Sequence, residues 1–346
     1  MKILFAAPFT YNNITFFISN FYEGLASSAK QQGHKVRLLQ TTDTSLPLNN
    51  YFQRQFNIFN HFTNNIAYIP NDLYLDQVLN NEVDQFRPDI LFLHIINSYD
   101  LSECIRKIRK KGTTVLTWLG VHPSVVSPGI HKILKSSDHT LIYDDSYTEY
   151  YSEKLGINNI LIISLGCNTE YFDNISPDAD LKNNISSDIS FIGMFDTYRG
   201  NILNSLTDFN LGIWSWNIDH FNTQLNKFYK GTAYGDELVK VLKSSKIALN
   251  IHREYEISGG NYRLFEIPAS KTFQLVDEKR DIGKYFNIGE EIITFKNAAD
   301  LRNKIEYYLK NEKERDEIAL AGYNRVKKEH NLTDRFNTII RSIKLN

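Results

Sequence analysis

One stretch of the chain, Ser244 to Glu278, constrains the fold more than any other. Two short apolar runs within it, Ile247 to Ile251 and Thr272 to Val276, have the length and composition of buried parallel strands. Between them, Tyr262 to Ser270 carries apolar residues at helical spacing, and we expect Pro268 to end or kink this helix early. A strand, a helix and a second strand in this order predict a parallel α/β unit.

Polar side chains follow the first of these strands and fill the loop before the helix. Ligands of open α/β sheets bind at the carboxyl ends of strands, and a glycine loop that opens a helix offers N–H groups to a diphosphate. Arg263, in the first turn, adds a cation with a bidentate fork, and Glu266 can accept two hydrogen bonds from the vicinal hydroxyls of a ribose. The candidate nucleotide-binding residues of this stretch are Asn250, His252, Ser258, Gly259, Gly260, Asn261, Arg263 and Glu266.

Three separated blocks of this half resemble the C-terminal domain of the CgeB-type glycosyltransferases, which have the two-domain GT-B fold. They are Ser245 to His252, Asn261 to Glu266 and Ala319 to His330, and they agree with the family in order and spacing. The resemblance covers residues 188 to 335 well and the first half loosely. It implies an α/β protein with GT-B architecture, in which two Rossmann-like domains with doubly wound parallel sheets face each other across a cleft.

The chain departs from this family at the residues that would face the donor sugar. Many retaining GT-B enzymes carry two glutamates with seven residues between them, the first at the donor sugar and the second at its ribose. Here the second matches Glu266, whereas the first falls on Ser258. Glu256 is close in sequence, and we take it as a catalytic candidate if the loop brings its carboxylate to that place. The small Ala-Cys-Gly step of such families reads Ala269-Ser270-Lys271.

The resemblance implies further site residues outside this stretch. His122 follows a predicted strand of the first half, where retaining GT-B enzymes often place a histidine against the donor sugar. It is therefore the first choice for a sugar contact or an acid/base role, although CgeB-type proteins tend to carry an aspartate in this neighbourhood. Arg199 is expected near the donor diphosphate, and Tyr234 is expected to stack on the base. Tyr11 to Asn13 form the loop that would face the acceptor and the sugar.

Composition narrows the choice of ligands. The net charge is −1, so no basic field argues for nucleic acid. No GxGxxG follows the first predicted strand, which counts against a Rossmann oxidoreductase. Cys104 and Cys167 lie far apart and are predicted to be buried free thiols, and no spacing predicts a zinc site. Asp178-Ala179-Asp180 lies in a polar stretch, where we predict solvated chain rather than a metal pair.

A change in composition divides the chain into two parts. Residues 171–187 are rich in Asp, Asn, Ser and Pro, which is the signature of a linker. We expect an acceptor-side domain over residues 1–170 and a nucleotide-sugar-binding domain over residues 188–330. A last helix, within residues 331–346, would cross back to the first domain.

The sequence predicts a cytoplasmic protein, because it shows no signal-peptide pattern and no run near about 18 apolar residues. A predicted helix ends in five cations within six residues, Arg106 to Lys111. Two interpretations of these cations stay open. They form either a solvated face that complements the helix C-terminus or a peripheral contact with anionic lipid at the inner face of the membrane.

We expect a glycosyltransferase that moves a sugar from a nucleotide-sugar donor, UDP- or GDP-linked, to a glycan, lipid-linked or protein acceptor. The resemblance favours a retaining reaction that uses neither a metal nor a further cofactor. Arginines and backbone N–H groups would stabilise the charge on the leaving diphosphate. Two alternatives stay open, because a fold does not fix a function. One is a catalytically silent nucleotide- or sugar-binding module, suggested by Ser258, and the other is a nucleotide-sugar epimerase on the same fold.

Overall fold

A computed structural model describes residues 1–7, 16–41, 69–94, 100–120, 123, 126–177, 187–215, 217 and 224–343. Three of the predicted features, His122, Tyr11 to Asn13 and Asp178 to Asp180, lie outside these residues. The chain divides into two compact units. The first comprises residues 1–164 and 336–346, and the second comprises residues 165–335.

The first unit contains a parallel sheet with helices along its connections. Its strands are β1 (Lys2–Ala7), β2 (Lys35–Gln40), β3 (Ile90–His94), β4 (Thr114–Leu119), β5 (His139–Ile142) and β6 (Ile160–Ile162). Its helices are α1 (Phe16–Gln31), α2 (Ile69–Phe86), α3 (Ser102–Lys110) and α4 (Pro128–Ser136). The six strands lie in the order β2-β1-β3-β4-β5-β6, and every pair is parallel.

The central strands of this sheet are apolar along their whole length because parallel strands are buried on both faces. All residues of β3 and β4 are buried, and so are Ile3 to Ala7 of β1. Phe5 of β1 stacks on Phe92 of β3, with 4.7 Å between the ring centroids. The core of the first unit therefore includes both faces of its central strands.

The second unit contains another parallel sheet. Its strands are β7 (Ile189–Ile192), β8 (Leu211–Trp214), β9 (Tyr229–Gly231), β10 (Ile247–Asn250), β11 (Phe273–Asp277) and β12 (Ile293–Phe295). Its helices are α5 (Thr169–Asn174), α6 (Thr197–Asn204), α7 (Gly235–Lys243), α8 (Tyr262–Ala269), α9 (Ile282–Tyr285), α10 (Ala298–Lys310) and α11 (Glu312–Glu329). A last helix, α12 (Leu332–Ser342), begins in this unit and ends among the residues grouped with the first.

The strand order of the second sheet creates a switch point between β7 and β10. The order is β12-β11-β10-β7-β8-β9, and all strands are parallel. The chain therefore adds strands to one side of β7 first and to the other side afterwards. In open α/β sheets, the crevice outside the carboxyl ends of the strands at such a point is where ligands bind.

Helix α8 continues one residue past Pro268, further than expected for a helix that this proline ends. A proline has no N–H to donate to the carbonyl four residues earlier, which here is the carbonyl of Leu264. The side-chain amide of Gln274, on the neighbouring strand β11, donates to that carbonyl at 3.2 Å. A buried side chain thus supplies the hydrogen bond that the proline cannot make.

The predicted fold class is confirmed as two α/β units, each with a parallel six-stranded sheet. The second unit begins at Leu165, ahead of the predicted linker. Two bonds hold this start: the Cys167 N–H donates to the His330 carbonyl at 2.9 Å, and Arg335 Nε donates to the Leu165 carbonyl at 3.0 Å. Cys167 and Cys104 are both buried and free, as predicted.

Candidate functional site

The candidate site lies at the carboxyl edge of the second sheet, where β7, β10 and β11 end side by side. Met194 follows β7, His252 and Arg253 follow β10, and Lys279 follows β11. The loop between β10 and α8 contains Gly259 and Gly260 and crosses the same edge. The predicted nucleotide-binding stretch therefore lies at the switch point of the sheet.

Asn250 and Asn261 join the end of β10 to the start of α8. Their side-chain amides exchange two hydrogen bonds, of 3.1 and 2.9 Å. Asn261 Oδ1 also accepts the Leu264 N–H at 2.9 Å and so caps the helix. Asn250 is 2% exposed, so its amide serves this junction.

The glycine loop packs closely against the segment that follows β11. Gly259 has φ of +89°, and a Cβ at this residue would lie 2.7 Å from Lys279 Cβ. The neighbouring Ser258 is buried, and its carbonyl accepts the Asp281 N–H at 3.0 Å. Within the described part of the chain, the N–H groups of Gly260 and Asn261 have no hydrogen-bond partner. The loop thus offers two backbone donors next to the positive end of α8.

Arg263 and Glu266 form a buried ion pair on the first two turns of α8. Arg263 Nη1 bonds Glu266 Oε2, and Arg263 Nε donates to the Ile192 carbonyl of β7 at 3.1 Å. The exposed fractions of the two side chains are 11% and 5%. Burial raises the pKa of the Glu266 carboxyl, and the Arg263 guanidinium opposes that rise. Among the described residues, Glu266 Oε1 has no hydrogen-bond partner, so this oxygen is available to a ligand.

Arg199 is a second buried cation at this edge. Its Nε donates to the Ile251 carbonyl and its Nη1 to the Met194 carbonyl, each at 2.8 Å. Asp196 caps α6 by accepting the Arg199 N–H at 2.8 Å, and burial lowers the pKa of the guanidinium. Nη2 has no hydrogen-bond partner in the described parts of the chain. Main-chain oxygens therefore hold Arg199 in place, and its Nη2 can still donate hydrogen bonds to an anion.

Glu256 lies in the site as a cap of the loop after β10. Its Oε2 accepts the backbone N–H of Arg253 at 3.1 Å. The Arg253 guanidinium donates to Tyr255 Oη and to Met194 Sδ, and it has no carboxylate within 4 Å in the part of the chain that the structure describes. Both of these partners are neutral, so no direct contact neutralises the positive charge of Arg253.

His252 is fully buried, and both of its ring nitrogens contact protein oxygens. Nδ1 lies 2.6 Å from Asp277 Oδ1, and Nε2 lies 2.9 Å from the Gly259 carbonyl. Burial raises the pKa of Asp277, but hydrogen bonds from His252 and the charge of Lys279 bring it below its ordinary value. The ring thus contacts the loop and the strand end, so a direct contact with the nucleotide, which the sequence suggested, does not follow from its position.

Tyr234 is half-buried at the residue before α7. Burial raises the pKa of its phenol, and Arg263 is close enough to oppose the rise. The charge of Arg263 therefore acts on Tyr234, and the predicted stacking of Tyr234 on the base stays a prediction. His122, the first catalytic candidate, lies outside the described residues.

The structure brings three further residues to this edge that are not among the predicted site residues. Arg253 and Lys279 add positive charges. Asp277, 25 residues further along the chain than His252, forms a hydrogen bond with it. Arg253 stands next to His252 in the sequence, so its place after a predicted strand was a usable signal. Asp277 and Lys279 follow a predicted strand in the same way, but only the register of β10 against β11 brings them to the loop.

His330, at the end of α11, connects the closing helix to the glycine loop. Its Nε2 lies 2.8 Å from the Tyr285 carbonyl, and its Nδ1 lies 2.7 Å from Arg335 Nη2. Since a carbonyl only accepts and a guanidinium only donates, the ring is the neutral Nε2–H tautomer. Burial and the charges of nearby arginines lower the pKa of His330 to about 4, although a backbone hydrogen bond to Tyr285 opposes the shift. The Tyr285 ring in turn packs against Gly260.

The free energy of unfolding is expected to fall by about 2 kcal/mol between pH 7 and pH 5, because His330 takes up a proton more readily in the unfolded chain than in the folded one. In the unfolded chain the ring titrates near its ordinary value of about 6.5, whereas the folded ring titrates at about 4. Its contribution is therefore complete above pH 6.5 and is lost as the pH falls toward 4. Urea unfolding at both pH values should show this loss in the wild type and its absence in His330→Gln. An equal pH dependence in the two proteins would contradict the assignment.

Among the described residues, no group of three or more His, Cys, Asp or Glu side chains is placed to hold a metal ion. The site is instead rich in guanidinium groups and backbone donors, as its contacts above show. Its arrangement suits an anionic ligand that also carries hydroxyl groups.

Comparisons with known proteins agree with this geometry. Residues 199–341 match a family model described as glycosyl transferase-like, and no curated protein sequence matches the chain significantly. A solved glycosyltransferase from Rickettsia africae ESF-5 is 14% identical, with a TM-score of 0.67 over 98% of this chain and 97% of that chain. An alpha-glucosyltransferase in complex with UDP-glucose and DNA containing an abasic site is 12% identical, with a TM-score of 0.67 over 98% of each chain.

A third similar structure is HepE from Anabaena in complex with UDP and glucose. It is 9% identical, with a TM-score of 0.62 over 99% of each chain. Identities this low establish the fold alone, and the family model is described only as glycosyl transferase-like, so the CgeB-type family is not confirmed. Residues 199–341 thus resemble glycosyl transferase-like domains, and the chain as a whole has the two-domain GT-B fold.

Proposed function

We propose that the protein is a glycosyltransferase whose second unit binds a nucleotide-sugar donor, with UDP as the nucleotide. The observation that carries the proposal is the buried Arg263–Glu266 pair beside the glycine loop, within the residues that match the family model. The similar structures that contain UDP-glucose, or UDP and glucose, support a UDP-linked donor over a GDP-linked one. Membership of the CgeB-type family remains a proposal on the motifs named above.

The proposal assigns a part of the donor to each group of the site. Glu266 Oε1 accepts hydrogen bonds from the ribose hydroxyls, and Tyr234 stacks on the base. Arg199, Arg263 and the N–H groups of Gly260 and Asn261 hold the diphosphate.

Negative charge grows on the diphosphate as the bond to the sugar breaks. Fixed cations and dipoles at that place stabilise the transition state more than the ground state. The guanidinium groups of the site supply this positive charge, so we propose a metal-independent reaction.

The acceptor is assigned to the first unit and is a glycan, a lipid-linked glycan or a protein. His122 is proposed to contact the donor sugar or to act as an acid or base, and Glu256 is the second catalytic candidate. The retaining outcome is proposed from the family resemblance. Retention is testable by NMR of the anomeric proton in the product, once the donor sugar and the acceptor are known.

A nucleotide screen tests the proposal. UDP, GDP, CMP, ADP and dTDP are added to the protein, and thermal shift and calorimetry report binding. We expect UDP to stabilise the fold by about 2.7 kcal/mol at a hundredfold excess over its Kd. Arg263→Gln should lose this shift. Arg302→Ala, which removes a cation that lies on α10 and bonds Asp208, should keep it. If no nucleotide binds at millimolar concentration, the proposal fails.

A catalytically silent nucleotide-binding module is the second candidate, and Ser258 favours it. The residue that matches the donor-sugar glutamate of retaining enzymes is here a serine that is 2% exposed. Glu256, the nearest acid in the sequence, already bonds the Arg253 N–H. Slow hydrolysis of a UDP-sugar in the absence of acceptor, detected as released UDP, would support the enzyme. Tight binding of UDP with no release from any UDP-sugar would support the silent module.

We propose no contact with lipid, because most of the cations at the end of α3 form ion pairs with carboxylates of the first unit. Three of the five form ion pairs: Arg106 with Glu103, Arg109 with Asp138, and Lys111 with Asp84. This pairing favours the solvated-face interpretation over anionic lipid. Within the described residues, no helix has the length and hydropathy needed to cross a bilayer.

A further inference from the structure

We propose that His252 is a positioning residue, which together with Asp277 sets the direction of the backbone donors in the glycine loop. The inference rests on the proposed function, because those donors are the ones assigned to the diphosphate. It gives His252 a role through the loop rather than a contact with the nucleotide. Three observations carry it: the burial of His252, its hydrogen bonds and the geometry of the Gly259–Gly260 peptide.

His252 bridges two segments that are distant in sequence. Its main-chain N–H and its Nδ1 both lie within hydrogen-bond distance of Asp277 Oδ1, at 2.9 and 2.6 Å. Its Nε2 lies 2.9 Å from the Gly259 carbonyl, and the side chain is 0% exposed. A ring that solvent cannot reach, with both nitrogens against protein oxygens, has no free edge for a nucleotide.

Both protein oxygens that face the ring nitrogens of His252 are hydrogen-bond acceptors. The Gly259 carbonyl can only accept, so Nε2 carries a hydrogen. The Asp277 carboxylate also only accepts when ionised, and its pKa lies below the ordinary value. An imidazole has a nitrogen on each of two sides of the ring, so His252 can reach both segments at once.

The hydrogen bond to Gly259 fixes the direction of the next N–H group. In a planar trans peptide, the carbonyl and the following N–H point in opposite directions. No cis peptide bond occurs in the described chain, so the Gly259 carbonyl directed at the buried ring sends the Gly260 N–H away from it. That N–H has no partner among the described residues. His252 thus holds one peptide plane, and the outward donor of that plane is available to an anion.

The segment after β11 supports the same loop from its other side. The N–H groups of Arg280 and Asp281 donate to the carbonyls of Ile257 and Ser258, at 3.1 and 3.0 Å. Asp277, the partner of His252, begins this segment at the end of β11. The loop is therefore fixed by backbone bonds before Gly259 and by the imidazole at Gly259 itself.

Two isosteric variants separate the two hydrogen bonds of His252. The amide nitrogen of an asparagine reaches the place of Nδ1 and can donate to Asp277, but it does not reach Gly259. The amide nitrogen of a glutamine reaches the place of Nε2 and can donate to Gly259. His252→Gln should therefore keep the direction of the loop, and His252→Asn should lose it.

Hydrogen exchange of the peptide that covers residues 257–261 tests this without any ligand. We expect faster deuterium uptake in His252→Asn than in the wild type and near wild-type uptake in His252→Gln. Equal uptake in both variants would overturn the inference, since the Gly259 bond would then make no difference to the loop. This readout does not depend on the proposed function.

Calorimetry with UDP and UMP then tests the effect on the donor. His252→Asn should raise the Kd for UDP about tenfold, the value of one hydrogen bond, while His252→Gln stays within about threefold of the wild type. UMP, which lacks the second phosphate, should be affected less. A direct contact with the nucleotide, which would overturn the inference, predicts an equal loss in both variants. If the wild type binds no UDP, the proposed function fails, and the exchange result alone decides the role of His252.

Discussion

Replacing Glu266 with glutamine is expected to raise the Kd for UDP about a hundredfold. Glu266 Oε1 is the acceptor that the structure leaves for the ribose, and hydrogen bonds to a charged group contribute about 1.5 kcal/mol or more each. Glutamine has the same shape but lacks the charge, and its amide has only one acceptor oxygen. Isothermal titration of the wild type and of Glu266→Gln with UDP measures the change.

The same substitution should lower the free energy of unfolding by about 3 kcal/mol, because it leaves the Arg263 guanidinium buried without its counter-charge. The side chains of this pair are 11% and 5% exposed, so water does not replace the lost interaction. Glu306→Gln is the matched control. Glu306 faces Arg302 at 3.9 Å and is 52% exposed, so its loss should change stability by less than about 0.5 kcal/mol.

A ligand without the ribose hydroxyls separates binding from folding. We expect 2′,3′-dideoxy-UDP to bind the wild type about a hundredfold more weakly than UDP, because both hydroxyl bonds are absent. In Glu266→Gln the two ligands should differ much less, since the carboxylate is already gone. Equal discrimination of the two ligands by both proteins would show that Glu266 does not hold the ribose.

Local sequence patterns predicted much of the second unit. The strand expected over Ile247 to Ile251 is observed as Ile247–Asn250, and the helix expected over Tyr262 to Ser270 is observed as Tyr262–Ala269. Apolar runs and the polar loop between them are enough for this, because each element is defined by neighbours in the sequence. The parallel order of the strands followed from the alternation of strands and helices.

Contacts between distant residues were beyond such patterns. His252 and Asp277 are 25 positions apart, and nothing in either neighbourhood indicates that they bond. The amide of Gln274, which bonds the carbonyl left by Pro268, is another case. Both contacts depend on the register of β10, α8 and β11 in three dimensions. For the same reason, His252 was interpreted as a ligand contact when only its place after a strand was known.

Lys271 shows how a departure from the family pattern acquires a physical meaning. This lysine has φ of +59°, in the region that favours glycine, and it stands where such families often have the glycine of an Ala-Cys-Gly step. Its ammonium bonds Asp173 at 3.0 Å and lies 4.4 Å from the centre of the Tyr323 ring. The sequence showed that a lysine replaces the glycine at residue 271, but only the backbone angle explains why a glycine fits there.

Gly259→Ala is expected to lower the free energy of unfolding by about 3 kcal/mol through two separate effects. The first is backbone strain, since φ of +89° costs an L-residue about 1–2 kcal/mol. The second is crowding, because the new Cβ would lie 2.7 Å from Lys279 Cβ and 2.9 Å from Ile282 Cδ1. Relief of that crowding moves the loop and weakens the bond from His252, so UDP binding should be lost as well.

Two other glycines of the same unit separate strain from crowding in the Gly259→Ala result. Gly289 has φ of +98°, and a Cβ at this residue would have no described atom within 4 Å, so Gly289→Ala should cost only the strain, about 1–2 kcal/mol. Gly283 has an ordinary φ, and a Cβ at this residue would lie 3.8 Å from Ile288 Cδ1, an ordinary contact distance. Gly283→Ala should therefore not lower the free energy of unfolding. Urea unfolding of the three variants measures the series. If Gly259→Ala costs no more than Gly289→Ala, the loop has room for a side chain, and the close packing that holds its donors toward the diphosphate is refuted.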